Sequence, residues 1–173
     1  MKRCREPEAV ASLARRLRFH GSEDKVTYTE VGYNSRLDEL QAAVLRELLP
    51  ELDGWNEARR AAARAYAERG LAAVAGMRLP RWDGEADHVF HLFVIRHERA
   101  AELERALAEH EIGARGYYRR PVHLQPAMSE LGAGLELPGT DEAARTHLAL
   151  PMGPLLSEDQ VDEVIAACAS GST

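Results

Sequence analysis

Four hydrogen-bonding side chains in a row, Tyr33, Asn34, Ser35 and Arg36, stand directly before a long helical pattern. Ser35 and Asp38 have the spacing of a capping box, in which the hydroxyl accepts from the backbone N–H three residues on and the carboxylate reaches back, a device worth about 1 kcal/mol. One cap uses one side chain. Tyr33, Asn34 and Arg36 are left over beside a helix start, where free N–H groups and the helix dipole suit an anion such as phosphate; the residues alone leave that use open. Chemistry that needs an amine nucleophile has two candidates, Lys2 and Lys25, the only lysines in the chain. His88 and His91 in "HVFHLF" invite a metal reading, but on a strand a three-residue spacing sends them to opposite faces. Tyr117, Tyr118 and His123 lie in a proline-bounded loop, where such residues either line a pocket or pack.

The elements that must position these groups are legible from periodicity. "REPEAVASLARRLRFHG" predicts a helix, with Pro7 in the first turn, Val10, Leu13, Ala14 and Leu17 on one face and Gly21 just past the end. "SEDKVTYTEVGYN" predicts a loop or short strand. From Ser35 to about Arg69 the pattern Leu37, Leu40, Val44, Leu45, Leu48, Leu52, Trp55 predicts a long helix or a pair, broken near Pro50, which cannot donate to the carbonyl of Arg46. Shorter pieces follow: a strand in "HVFHLFVIR", a helix in "ERAAELERALAEH", a strand in "IGARGYY", a proline-bounded loop, a helix in "DEAARTHLAL" and a closing helix entered through a Ser157–Gln160 capping box. Strands alternating with helices imply a small α/β or α+β layer. The expected division is 1–72 and 73–173.

Composition narrows the function classes. The chain has 173 residues, 45% of them hydrophobic, enough to bury a sizeable core in one or two domains. Its 22 basic and 28 acidic residues give a net charge of −6, which argues against steering toward nucleic acid or an anionic membrane. The arginine-rich "EARRAAARAYAER" alternates with alanine and glutamate and brings no aromatic platform for bases. No run approaches the ~18 apolar residues of a bilayer span, and "MKRCREPEAV" lacks the apolar core of a signal peptide. Cys4 and Cys168 form no CxxC or metal-type cluster. A reducing, cytoplasmic setting is the expectation.

The stretch "GYNSRLDELQAA" resembles the G-[YLF]-N-[SY]-R-[LM]-[DT]-x-[LI]-Q-A-A motif of the DegT/DnrJ/StrS family of sugar aminotransferases. The likeness continues through "DHVFHLFVIR", through "IGARGYYRRPVHLQPAM", similar to that family's I-G-x-x-x-x-Y-P-x-P-x-H-x-Q-P loop, and through "LALPMGPLLSEDQVDEVIAA", from about Glu6 to Ala167. The resemblance implies a fold type I transferase that holds pyridoxal 5'-phosphate and moves an amino group from glutamate or glutamine to a keto-sugar nucleotide. It implies a homodimer with the site at the subunit boundary. Asn34 matches the asparagine that reaches the cofactor phosphate of the partner subunit, and Tyr118 and His123 match positions near the sugar.

Two departures from the family pattern matter. The family carries its Schiff-base lysine in S-x-x-x-x-K followed by a G-[DE]-G-[GA] turn, and neither motif occurs here. The resemblance therefore places the lysine, the aspartate facing the pyridine nitrogen and the stacking aromatic upstream of Met1, and Lys2 and Lys25 match no catalytic position. The chain is expected to be the C-terminal part of the enzyme, the long connecting helix plus the small domain, inactive alone and completed by a partner chain. The alternative is a non-catalytic remnant or dimerisation module. Where the family has "YPxP", this chain has "YRRP", so Arg119 and Arg120 either clamp a diphosphate or are solvated. Without the large sheet, the apolar faces of the first two helices are expected to lie open.

Overall fold

The computed structural model describes residues 7–82 and 88–171. These divide into two compact units, the first ending at Pro50 and the second beginning at Glu51. Lys2 and Cys4 lie outside the described residues.

The first unit opens with α1 (Pro7–Leu17), whose Arg15 and Arg16 fall in the last turn, where cations suit the carbonyl end. Gly21, at φ 83, lies beyond the helix end and donates its N–H to the Arg16 carbonyl at 2.8 Å. The chain then loops and returns, so that Tyr33 N–H meets Leu17 O, His20 N–H meets Tyr33 O at 2.9 Å and Ser35 N–H meets Arg18 O at 3.0 Å. "KVTYTEV" is loop apart from single bridges. α2 (Glu39–Leu48) follows, and no side chain of α1 or α2 is buried. The expected cap is corrected here: Asp38, not Ser35, caps α2, its carboxylate accepting from Leu40 N–H at 2.9 Å. Ser35 stands four residues before the helix starts at Glu39, too early to cap it, and its backbone is tied back toward α1, its carbonyl accepting from Arg18 Nε at 3.2 Å. The break at Pro50 falls in a 3-10 turn, Leu49–Glu51.

The second unit holds the core. α3 (Leu52–Glu68) ends before Gly70, whose φ of 106 a side chain would resist. β1 (Phe93–Arg96) pairs antiparallel with β2 (His147–Leu150), Phe93 opposite Leu150 and Arg96 opposite His147. Single bridges extend this ribbon on both edges, Arg78 to Arg96 and Arg115 to Ala149. α4 (Ala100–Glu109), α6 (Pro138–Thr146) and α7 (Glu158–Gly171) complete the layer. Leu103 and Leu107 of α4 and Val161, Val164 and Cys168 of α7 are buried together with Phe93, Ile95 and Leu148. Each such aliphatic side chain contributes about 2 kcal/mol by leaving water. Tyr66 of α3 stacks on Phe93 with centroids 5.0 Å apart and donates to the Pro151 carbonyl at 2.9 Å. Burial pushes the Tyr66 hydroxyl up, and lifts the Cys168 thiol to about 12.

Three expected elements change. The strand read over "HVFHLFVIR" shrinks to Phe93–Arg96, because Phe90 stands at φ 43 and its N–H is taken by the His88 ring at 3.0 Å. His88 and His91 thus lie off the strand, and the opposite-faces argument loses its premise. "IGARGYY" contributes only the Arg115 bridge. "DEAARTHLAL" is half helix and half strand, since Leu148 and Leu150 are buried in the sheet layer. The Ser157–Gln160 capping box is present, each backbone N–H meeting the other side chain at 3.0 and 3.2 Å.

Candidate functional site

Asn34 is held by backbone before its side chain is considered. It bridges antiparallel to Phe19, with hydrogen bonds on either side from Tyr33 and Ser35. Two glycines permit the approach: a Cβ on Gly32 would lie 2.0 Å from Gly21 N, and one on Gly21 would lie 1.8 Å from Glu30 O. The side chain is exposed, and Oδ1 accepts from Arg36 Nε at 3.1 Å. That bond assigns the acceptor end of the amide, and among the described residues no acceptor meets the NH2 end. Arg18 stands on the neighbouring carbonyl of Ser35. Asn34 is therefore an exposed donor beside the Arg36 guanidinium, with Arg18 on the carbonyl of the next residue, and that local positive charge favours an anion. The dipole of α2 is less important than the sequence implied, because the helix begins only at Glu39 and its cap already uses Leu40 N–H.

The loop between α1 and this bracket is fastened by its own polar groups. Arg16 donates to Glu30 at 3.1 Å and to Glu23 at 3.1 Å, and Glu30 also accepts from the Thr29 hydroxyl at 2.6 Å. Glu30 is held below the usual carboxylate range, first by Thr29 and then by Arg16. Asp24 accepts from Thr27 and Val26 N–H at 2.7 and 2.8 Å, which brings its carboxyl down to about 2. Lys25, at φ 66, projects from this turn with its ammonium 5.3 Å above the Phe19 ring. It is exposed, without the apolar enclosure that turns a lysine into a nucleophile.

The second set of expected residues lies in the second unit. Tyr118 is 81% exposed and adopts φ 55, rare for a bulky residue. His123 sits in a 3-10 turn, Val122–Leu124, with Nε2 3.9 Å from Asp141 of α6 and its side chain only 9% exposed. The one-turn helix α5 (Ser129–Gly132) closes on it: a Cβ on Gly132 would lie 2.0 Å from the His123 carbonyl. Arg120 donates to Leu124 O at 2.7 Å while its own carbonyl accepts from Gln125. Arg119 points inward to Glu104 of α4, at 2.8 Å. Beside them lies an open cleft of about 440 Å³ lined by Ala101, Arg119, Pro121, Leu124, Asp141 and Ala144.

The structure thus brings Tyr118, Arg119, Arg120 and His123 into one loop and places Asn34 in the other unit. Gly21, Gly32, Arg18 and Glu104 support these residues; Gly32 opens the "GYNSR" motif and Gly21 follows the predicted helix end, whereas Arg18 and Glu104 carry no signal by motif.

A profile of the DegT/DnrJ/EryC1/StrS aminotransferase family matches residues 5–169. The chain is 41% identical over 165 residues to the erythromycin biosynthesis sensory transduction protein EryC1 of Saccharopolyspora erythraea, covering 95% of this chain and 45% of that protein. It is 44% identical over 163 residues to the dTDP-3-amino-3,4,6-trideoxy-alpha-D-glucose transaminase of Streptomyces venezuelae, covering 94% and 42%. The crystal structure of S. venezuelae DesV in complex with a ketimine intermediate superposes with a TM-score of 0.88 at 42% identity, over 96% of this chain and 45% of that one. The chain spans less than half the length of the relatives it matches.

Proposed function

The chain belongs to the DegT/DnrJ/EryC1/StrS aminotransferase family, and on that premise we propose that it is the C-terminal part of a pyridoxal-phosphate-dependent aminotransferase acting on a nucleotide-linked keto sugar. Its relatives include sugar-nucleotide transaminases. Residues 1–72 serve as the end of the large domain with the connecting helices, and 73–173 as the small domain. Asn34 donates to the cofactor phosphate, and the loop carrying Tyr118, Arg119, Arg120 and His123 meets the sugar nucleotide. Glutamate or glutamine supplies the amino group, in the cytoplasm, within a homodimer or with a partner chain. Among the described residues no helix is long and apolar enough to cross a membrane.

The donor set fits only one end of the cofactor. Asn34, held by Arg36 and next to the carbonyl that Arg18 binds, suits a phosphate, whereas the one described lysine, Lys25, is exposed in a turn. When bound, pyridoxal phosphate supplies the electron sink of transamination. The amine that would hold it comes from another segment or subunit, and no step is assigned to this chain beyond binding and orientation.

The observation that carries this reading is the outward amide of Asn34 in its bracket, at the motif position that resembles the phosphate-binding asparagine. In the chain assembled with a lysine-bearing half, Asn34→Ala is expected to weaken cofactor binding roughly ten- to hundredfold, as loss of a hydrogen bond to a charged group of ~1.5–3 kcal/mol implies. Absorbance titration with pyridoxal phosphate reads it, and unchanged affinity would remove Asn34 from the site. The open apolar face of α2 favours a second reading, an interaction module without turnover.

A further inference from the structure

Arg119 is the residue whose position departs most from expectation. It is half-buried and ties its own loop to α4 and α6. Nη2 donates to Glu104 Oε2 of α4 at 2.8 Å, and Nη1 donates to the carbonyls of Ala144 and Arg145 in the last turn of α6 at 3.5 and 3.2 Å. Those carbonyls end a helix and carry its negative pole, which suits a guanidinium. The other oxygen of Glu104 receives Gly116 N–H at 3.4 Å. The guanidinium lies against Gly116 so closely that a Cβ there would meet Nε at 2.0 Å. Between these two anchored residues stands Tyr118 at φ 55, a conformation a tyrosine holds only when its surroundings enforce it.

We propose that Arg119 and Glu104 form a positioning pair, an ionic latch that holds the 117–123 loop so that Tyr118 is presented outward. In the related loop pattern a proline occupies the position of Arg119 and stiffens the backbone covalently. Here the same stiffness is supplied through space by one fork-shaped cation with four acceptor or packing partners. Such a latch opens when either member is removed, and removing both does no further harm.

The proposal has a readout in the chain itself. Chymotryptic cleavage at Tyr117 and Tyr118 is expected to speed about tenfold in Arg119→Ala and equally in Glu104→Ala, with far-UV circular dichroism unchanged. The double variant is expected to match the singles, and Arg119→Lys, which keeps the charge but not the fork, to fall between. Cleavage unchanged in both single variants, or fully additive in the double, would overturn the latch. Its role in positioning rests on the functional reading above. With a lysine-bearing half present and a dTDP-linked keto sugar as probe, Arg119→Ala is expected to raise KM about tenfold and leave kcat within twofold. An opened loop with an unaltered KM would overturn the positioning role. A wild-type assembly that does not bind the probe strikes the functional reading instead, and cleavage still decides the latch.

Discussion

Purified alone, the chain is expected to elute as a dimer or larger species. Leu40, Val44, Leu45 and Leu48 of α2 are all exposed, Leu40 by 79%, and Leu37 and Leu49 at its two ends are open as well. They recur at three- and four-residue spacing, so they form a continuous stripe rather than scattered surface apolar residues. Covering one such leucine contributes about 1.5–3 kcal/mol, and several together exceed what a monomer can leave in water without association. Replacing Leu40 and Val44 by glutamate should return the chain to a monomer with its helix content intact, because neither side chain supports a core. Light scattering after size exclusion checks both statements. A wild-type monomer at tens of micromolar would contradict the first, and an unfolded double variant the second.

Gly32→Ala is expected to abolish the bracket that holds Asn34. The new methyl would fall 2.0 Å from Gly21 N and 2.3 Å from the His20 carbonyl carbon, both backbone atoms that cannot swing aside as a side-chain tip would. Overpacking of this kind costs about 1–3 kcal/mol even where neighbours are soft. The amides of His20, Tyr33 and Ser35, which close the bracket onto Tyr33, Leu17 and Arg18 carbonyls, should therefore exchange with solvent at least about a hundredfold faster. Gly54→Ala, where a Cβ meets nothing within 4 Å, is the matched control and should leave those amides untouched. Equal protection in the two variants would show that Gly32 does not set the geometry of the site.

These two results mark where sequence reading succeeds and where it stops. Helix periodicity located α2, the break at Pro50 and α3, because an amphipathic stripe needs only local spacing. The Ser157 capping box was legible for the same reason, its partners being three residues apart. Ser35 offered an identical local signal, yet its backbone is engaged by Arg18, seventeen residues earlier, and Asp38 takes the cap. The residue types at Asn34, Tyr118 and His123 could be picked out. What holds them could not: the Gly21–Gly32 contact, the Arg36 bond to Asn34 and the Arg119–Glu104 pair join residues that acquire meaning only once the chain has folded back. β2 reads as helix from sequence alone because "HLAL" follows a helical run without a glycine or proline to mark the change.

We propose that this chain offers Asn34 as a hydrogen-bond donor to the coenzyme phosphate together with a substrate loop, while the one lysine among the described residues, Lys25, is exposed and unsuited to hold the coenzyme. This is tested most directly by incubating the purified chain with pyridoxal phosphate, reducing with borohydride and mapping adducts by mass spectrometry, alongside an assay with glutamate and a dTDP-linked keto sugar. No stoichiometric adduct at Lys2 or Lys25 and no amino transfer are expected. A stoichiometric adduct at either lysine together with turnover by the chain alone would contradict the proposal.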